Sequence, residues 1–265
     1  MKKFFIFTIL ILSCTFTYPA KKVKPTALSV TYALWNIDTG EFIASNNETE
    51  VRPIASITKL MSVFVTMRDG LDLNEELTVT GKESSGRIKA GMRIARGRLI
   101  ELALISSDNL AARTLAESYP GGYQKFINEM NIAAIELGMK NTKYEDSTGL
   151  LSSNISSADD IRKLVIAVSP FYIINNAANT ATYAFKTTIL NKNRQKEVVV
   201  QANNTNSFVG KLDIIAAKTG YTSKAGRCLA MFFSHNGNKY LLVVMGAQSS
   251  DQRRKMVEHL LYKIK

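Results

Sequence analysis

Hydrophobic and polar positions alternate in different ways along the chain, and each way predicts an element. Residues 33–37 and 41–45 flank Asp38-Thr39-Gly40, the pattern of two strands joined by a tight turn. Pro53 precedes a helical run over 55–67 that stops at Asp69-Gly70. Residues 77–80 read as a short strand, whereas 81–98 are basic, glycine-containing and aperiodic, which predicts a wrapped loop. Residues 99–105 are apolar nearly all round, as in a buried central helix. The run breaks at Ser106-Ser107-Asp108-Asn109 and resumes over 110–117. Past Pro120-Gly121-Gly122, the residues Phe126, Met130, Ala133 and Leu137 recur at helical spacing until Gly138 closes the helix. A short helix is predicted over 158–167, and strands over 183–189 and 197–201.

The last third is clearer. Residues 228–233 and 240–246 are continuously apolar around Asn236-Gly237, a hairpin signal, and predict central strands covered on both faces. Met256, Val257, Leu260, Leu261 and Ile264 define a final helix with a basic opposite face. These elements predict an α/β protein of the α+β type, a central antiparallel sheet flanked by helices. One domain is expected over 21–265, with a mostly helical region, about 56–170, inserted between the N-terminal and C-terminal strands. No internal repeat or low-complexity tract interrupts it.

Residues 1–20 carry the layout of a secretory signal: Lys2 and Lys3, an apolar run from Phe4 to Leu12, then small and polar residues. That run is too short to span a bilayer, which takes about 20 residues. Cleavage after Ala20 would put the bulky Tyr18 three positions back. Ile11-Leu12-Ser13-Cys14 is a faint lipoprotein box, so lipid anchoring through Cys14 is the alternative. If Cys14 leaves, Cys228 stands alone, and stability is expected from the core without an internal disulfide.

Composition narrows the chemistry. Hydrophobic residues make up 46% and charged residues 21% of the 265, enough to build a core and too apolar for disorder. Lys and Arg number 34 against 22 Asp and Glu, a formal charge of +12. That charge suits nucleic acid, an anionic membrane or an anionic wall polymer; export argues against nucleic acid. The 2 His and 2 Cys form no HExxH or other ligand cluster, so no metal site is expected. His235 lies by a hairpin turn, His259 on the final helix, and Cys228 inside an apolar strand, none of them in a catalytic setting. No G-x-S-x-G elbow, phosphate loop or dinucleotide fingerprint occurs, and no cofactor is expected.

A serine can be activated by lysine in place of histidine. Ser56-Ile57-Thr58-Lys59 puts both on one helical face, with Ser56 at the helix start, where free N–H groups favour a developing oxyanion. Alone, this pattern reads first as an N-cap serine followed by an exposed lysine. Two companions change its weight. Ser107-Asp108-Asn109 interrupts a buried helix, which is costly unless the polar groups have partners or a task. Lys218-Thr219-Gly220 follows an apolar stretch and offers a lysine, a threonine and an unhindered backbone at a strand edge, a dock for a peptide carboxylate.

In this order the three elements resemble the SxxK, SxN and KTG motifs of the serine D-alanyl-D-alanine peptidases, the low-molecular-mass penicillin-binding proteins. The resemblance covers nearly all of the chain past the leader. It extends to Arg52-Pro53-Ile54-Ala55-Ser56-Ile57-Thr58-Lys59-Leu60, to Leu137-Gly138-Met139 with Ser147-Thr148-Gly149-Leu150, and to Lys218-Thr219-Gly220-Tyr221-Thr222. Ser106-Ser107-Asp108-Asn109, Tyr119-Pro120-Gly121-Gly122-Tyr123 and Ser147-Thr148-Gly149-Leu150 lean toward the D-alanyl-D-alanine endopeptidase branch, the penicillin-binding-protein-7 type. The chain's end soon after the last helix, without an appended β domain, is a further expectation of that type. Asp146 stands where relatives often have proline, and is expected to alter a loop and not the chemistry.

The resemblance implies a β-lactamase/transpeptidase-like fold and a cross-link-cleaving endopeptidase that works through an acyl-enzyme. Ser56 would be the nucleophile and Lys59 the base, with Ser107 and Asn109 relaying the proton and holding the substrate amide and Asp108 turned away. Backbone N–H groups of Ser56 and Tyr221 would form the oxyanion hole. Lys218, Thr219 and Gly220 would bind substrate, with Thr222 supporting their strand. Peptidoglycan stem peptides and cross-links are the implied partners, β-lactam antibiotics the implied covalent inhibitors, and the bacterial periplasm the implied location of a monomer. Of Lys82, Arg87, Lys89, Arg93, Arg96 and Arg98, one or two are expected to hold anionic wall strands or peptide carboxylates. Arg253, Arg254, Lys255, Lys263 and Lys265 offer peripheral contact with an anionic membrane as an alternative to simple packing of the last helix. Carboxypeptidase activity is the alternative reaction and a non-catalytic wall-binding protein the alternative class. A β-lactamase would need a deacylating carboxylate, for which Glu117, Glu129, Glu136 and Glu145 are the candidates by position.

Overall fold

The computed structural model describes residues 30–83, 85–191 and 194–264. The signal segment, Cys14 and Lys265 lie outside them. Strands β1 (Thr31–Asn36) and β2 (Phe42–Asn46) form the expected N-terminal hairpin. A short β3 (Arg52–Pro53) and a 3-10 turn (Ala55–Ile57) lead into α1 (Thr58–Arg68). Strands β4 (Glu76–Thr78) and β5 (Met92–Ala95) precede helices α2 (Arg96–Ile105), α3 (Asn109–Glu117) and α4 (Gly122–Glu136). Strand β6 (Ile155–Ser156), pairing with β3, is followed by α5 (Ala158–Val168) and α6 (Tyr172–Asn179). The remaining elements are the hairpin β7 (Thr182–Asn191) and β8 (Arg194–Asn203), then β9 (Asp213–Thr222), β10 (Gly226–His235), β11 (Asn238–Ala247) and α7 (Ser250–Tyr262).

The central sheet is antiparallel, in the order β2-β1-β11-β10-β9. Residues 228–233 of β10 and 241–245 of β11 are apolar at every position because both faces are covered, and the strand period of two divides them between two cores. Ala33, Trp35, Ala230, Phe232, Leu241 and Val243 join the larger core with the buried sides of α1 to α5. Leu34, Leu229, Met231, Phe233, Leu242 and Val244 join a smaller core closed by Val257 and Leu260 of α7. Helix α1 is buried nearly all round, Lys59 included. Burying each large aliphatic side chain contributes about 1.5–3 kcal/mol, so α1 can carry polar groups that its neighbours then satisfy.

Residues 81–98 are not one wrapped loop. Met92 and Ile94 are buried and Arg93 exposed in β5, which pairs with β4 on one side and β7 on the other in a second sheet, β4-β5-β7-β8. This alternation is too short to register in a window of sequence, and its partners lie far along the chain. Helix α2 also begins earlier than expected. Arg96 is buried at its first turn, donating to Glu75 Oε2 at 2.6 Å and to the Asp72 carbonyl at 2.7 Å. A cation at a helix N-terminus opposes the macrodipole, so nothing in the local sequence marks this start. Arg96 is thereby a structural residue, unavailable to wall strands. The apolar stripe of α7 packs on the sheet, and on its outer side Arg254 pairs with Asp251 and Glu258, and Lys255 with Asp251.

Candidate active site

The 3-10 turn before α1 carries Ser56, and Lys59 sits one turn further on, wholly buried. Lys59 Nζ lies 2.9 Å from Ser56 Oγ, 2.7 Å from Asn109 Oδ1 and 2.6 Å from the Thr148 carbonyl. Burial pulls the ammonium down to about 7, against the opposing pull of the Asp146 and Asp108 charges. A lysine of that strength is neutral for much of the time at neutral pH. The neutral amine then donates to Asn109 Oδ1 and the Thr148 carbonyl and accepts from the Ser56 hydroxyl.

The break after α2 brings the second group in. The chain turns through Ser107 at φ 59°, and Asp108 caps α3 by accepting from Ala111 N at 3.0 Å and Ser85 Oγ at 2.6 Å. Asp108 is therefore spent on the helix end and the adjoining loop, while Asn109, the first residue of α3, reaches Lys59. Ala55, next to the serine, also has a positive φ, 48°. Neither is glycine, and such a backbone costs about 1–3 kcal/mol that the surroundings must offset. At Gly149, φ is +84° and an added Cβ would stand 1.9 Å from the Ala55 carbonyl oxygen. The 146–151 loop is packed that tightly against the serine turn.

Strand β9, an edge of the central sheet, supplies the third group. Lys218 is buried, its Nζ donating to the Thr219 carbonyl at 2.9 Å. Burial, with the positive charges of Lys59 and Arg253, holds it well below its ordinary range. Thr219 Oγ1 shares a 2.6 Å hydrogen bond with Thr205 Oγ1. A Cβ at Gly220 would approach Ile54 O to 3.0 Å and Ser56 N to 3.1 Å, so glycine lets the strand close on the serine turn. Thr222 Oγ1 accepts from Ala225 N at 3.1 Å and holds the β9–β10 turn.

A cavity of about 410 Å³ opens over this assembly, lined by Ser56, Ser107, Asn109, Thr219, Gly220 and Tyr221. Lys59 and Lys218 are buried beneath it, and Thr222 is not among its lining residues. No Asp or Glu lines it. Glu117 pairs with Arg113, Glu129 with Arg68 and Lys125, Glu136 with Arg68, and Glu145 with Lys143, so each candidate deacylating carboxylate is occupied elsewhere. Among the described residues, no group of His, Cys, Asp or Glu is placed to hold a metal ion.

Residues 19–249 match the family Peptidase_S11, described as D-alanyl-D-alanine carboxypeptidase. The chain belongs to that family. A D-alanyl-D-alanine endopeptidase of Pseudomonas aeruginosa is 37% identical over 79% of this chain and 68% of its own length. One from Escherichia coli is 36% identical over 84% of this chain and 73% of its own length. A D-alanyl-D-alanine carboxypeptidase of Bacillus subtilis is 28% identical over 84% of this chain and 59% of its own. The crystal structure of a Streptomyces DD-transpeptidase superposes with a TM-score of 0.82 at 23% identity, covering 91% of this chain and 98% of that one, which shows the shared β-lactamase/transpeptidase-like fold.

Two cavity residues of this family member escaped the sequence reading. Arg253 reaches the cavity from α7, donating to the Cys228 carbonyl at 3.3 Å. Arg227, on β10, stacks its guanidinium 3.8 Å from the centre of the Tyr221 ring. Both are brought to the site by long-range pairing, and no local pattern distinguishes them from the other arginines.

Proposed function

We propose that this protein is a serine-type D-alanyl-D-alanine peptidase of peptidoglycan, favouring the endopeptidase reaction on cross-links. The observation that carries it is Lys59: a wholly buried amine of pKa about 7, 2.9 Å from the Ser56 hydroxyl. Neutral Lys59 takes the Ser56 proton as Oγ bonds to the D-alanyl carbonyl carbon. The oxyanion lies against the N–H groups of Ser56 and Tyr221, close together because Gly220 brings β9 onto the serine turn. As the C–N bond breaks, the leaving amine takes that proton from Lys59, with Ser107 as the relay and Asn109 holding the substrate amide. Water then adds to the ester, its proton passes through Lys59 to Oγ, and the acid product leaves with Ser56 restored.

A substrate carboxylate would meet Thr219 directly, and the guanidiniums of Arg227 and Arg253 make that end of the cavity positive. In a cross-link the amine-donating stem can supply this carboxylate. The endopeptidase preference is supported by relatives of that name at 31–37% identity, against 26–28% for the carboxypeptidases. Export to the periplasm, outside the cytoplasmic membrane, is supported by the substrate class and by the leader-like residues 1–20. β-Lactams, which mimic the D-alanyl-D-alanine unit, are expected to acylate Ser56.

Two measurements test this. Intact mass after penicillin treatment should show one adduct, mapped to Ser56 and absent from Ser56→Ala; an adduct elsewhere rejects the nucleophile. Purified cross-linked muropeptide dimers should be cleaved faster than monomeric pentapeptides are trimmed; the reverse order makes the protein a carboxypeptidase.

A further inference from the structure

A second cavity, of about 470 Å³, opens where the start of β7 meets the end of β8. Thr182, Tyr183, Gln201 and Asn203 line it, together with Arg87 from the loop between β4 and β5. It adjoins the reaction cavity, because Asn203 is two residues from Thr205, which lines that cavity and bonds to Thr219. Two residues of chain span at most about 7 Å.

The loop carrying Arg87 is tied to the second motif. Ser85 Oγ donates to Asp108 Oδ2 at 2.6 Å and accepts from Arg87 N and Ile88 N, both at 3.1 Å. The buried Ile88 side chain pins the far side of the loop. Arg87 itself is exposed, and among the described residues its guanidinium has no ion-pair partner. Arg96 and Arg98 of the same segment are each committed to a glutamate, whereas Arg87 and Arg93 are not among the described residues, and of those two it is Arg87 that lines this cavity. A guanidinium whose backbone is fixed while its charge is uncommitted is suited to a carboxylate, which it can take bidentately. The amides of Gln201 and Asn203 can complete such a site on the opposite wall.

We propose that this cavity is a subsite for the acyl-donating stem peptide, in which Arg87 holds a free carboxylate upstream of the D-alanyl residue attacked by Ser56. The inference rests on the peptidase reading above and deepens it. Arg227 and Arg253 rise from β10 and α7 and Arg87 from the β4–β5 loop, so positive charge meets the substrate from separate walls. Of the basic residues in segment 82–98, Arg87 is thereby the one assigned to substrate.

The test separates binding from turnover. Two synthetic stem tetrapeptides ending in D-alanine, one with the upstream carboxylate free and one with it as a carboxamide, are titrated calorimetrically into Ser56→Ala protein. The free acid should bind at least tenfold more tightly, and Arg87→Ala in that background should remove the preference. Arg87→Lys, which keeps the charge without the fork, should retain only part of it. With Ser56 intact, and with each peptide extended by a second D-alanine whose amine is the leaving group, Arg87→Ala should raise KM for the acid peptide far more than it lowers kcat. Equal binding of the two peptides by the parent, or a preference that survives Arg87→Ala, overturns the subsite. Failure of the peptidase reading would appear instead as intact protein that neither cleaves muropeptides nor takes a penicillin adduct, whatever the titrations show.

Discussion

Lys59 Nζ has three oxygen partners within 2.9 Å and no water-exposed surface, so its proton count follows from its neighbours. With a native pKa of about 7 against an ordinary 10.5, the rate of penicillin acylation should climb about tenfold per pH unit below 7 and level off above it. Between pH 7 and 10.5 the unfolded chain binds the proton that native Lys59 has released. Stability against urea should therefore rise with pH across that window, and Lys59→Met should flatten the rise. Asp146, expected to touch only a loop, has a larger part. Its buried carboxylate accepts from Thr148 N and Leu151 N, both at 2.6 Å, and from Thr148 Oγ1 at 3.0 Å, fixing the carbonyl that meets Lys59. Asp146→Ala leaves those donors unpaired and should cost about 3 kcal/mol in chemical denaturation. Asp146→Asn keeps an acceptor but removes a charge that holds the Lys59 proton on, so its acylation profile should move to lower pH.

The elements meet at two glycines. Gly149→Ala would drive a Cβ into the Ala55 carbonyl at a backbone angle unsuited to alanine, and should lower acylation at least a hundredfold along with the melting temperature. Gly220 has an ordinary φ and a tight fit of 3.0–3.1 Å to Ile54 O and Ser56 N. Gly220→Ala should slow acylation while moving the melting temperature much less, since β9 can shift outward from its unpaired side. The β1–β2 hairpin, the paired inner strands β10 and β11, and helices α1, α3, α4 and α5 were legible in the sequence because their periodicity is local and their turns are marked by Gly, Asn or Pro. Strand β5, the two-residue pair β3–β6 and the start of α2 were not, since partners far along the chain form them. The same division runs through the site. Ser56, Lys59, Ser107, Asn109 and the Lys218-Thr219-Gly220 run stand in compact motifs, whereas Arg227, Arg253 and Asp146 gain their positions only from packing.

Across the whole molecule the formal charge is +12, unevenly neutralised. Raising ionic strength from about 0.01 M to about 0.15 M shortens the screening length from about 30 Å to about 8 Å. Binding of Ser56→Ala protein to purified wall sacculi should accordingly weaken at least tenfold over that range in a sedimentation assay; salt-independent retention would show that shape outweighs charge. The central sheet also has a consequence in time. Its first strand, β1, lies between β2 and β11, and Thr31 is registered against Met245. More than two hundred residues must arrive before that pairing can form, and such distant contacts make for slow closure of a fold. Until then Leu34 and Trp35, both buried in the finished protein, have β2 as their one strand partner among the described residues. A chain whose opening strand waits for β11 keeps its central sheet open, and can still be threaded, until nearly all of it has been synthesised.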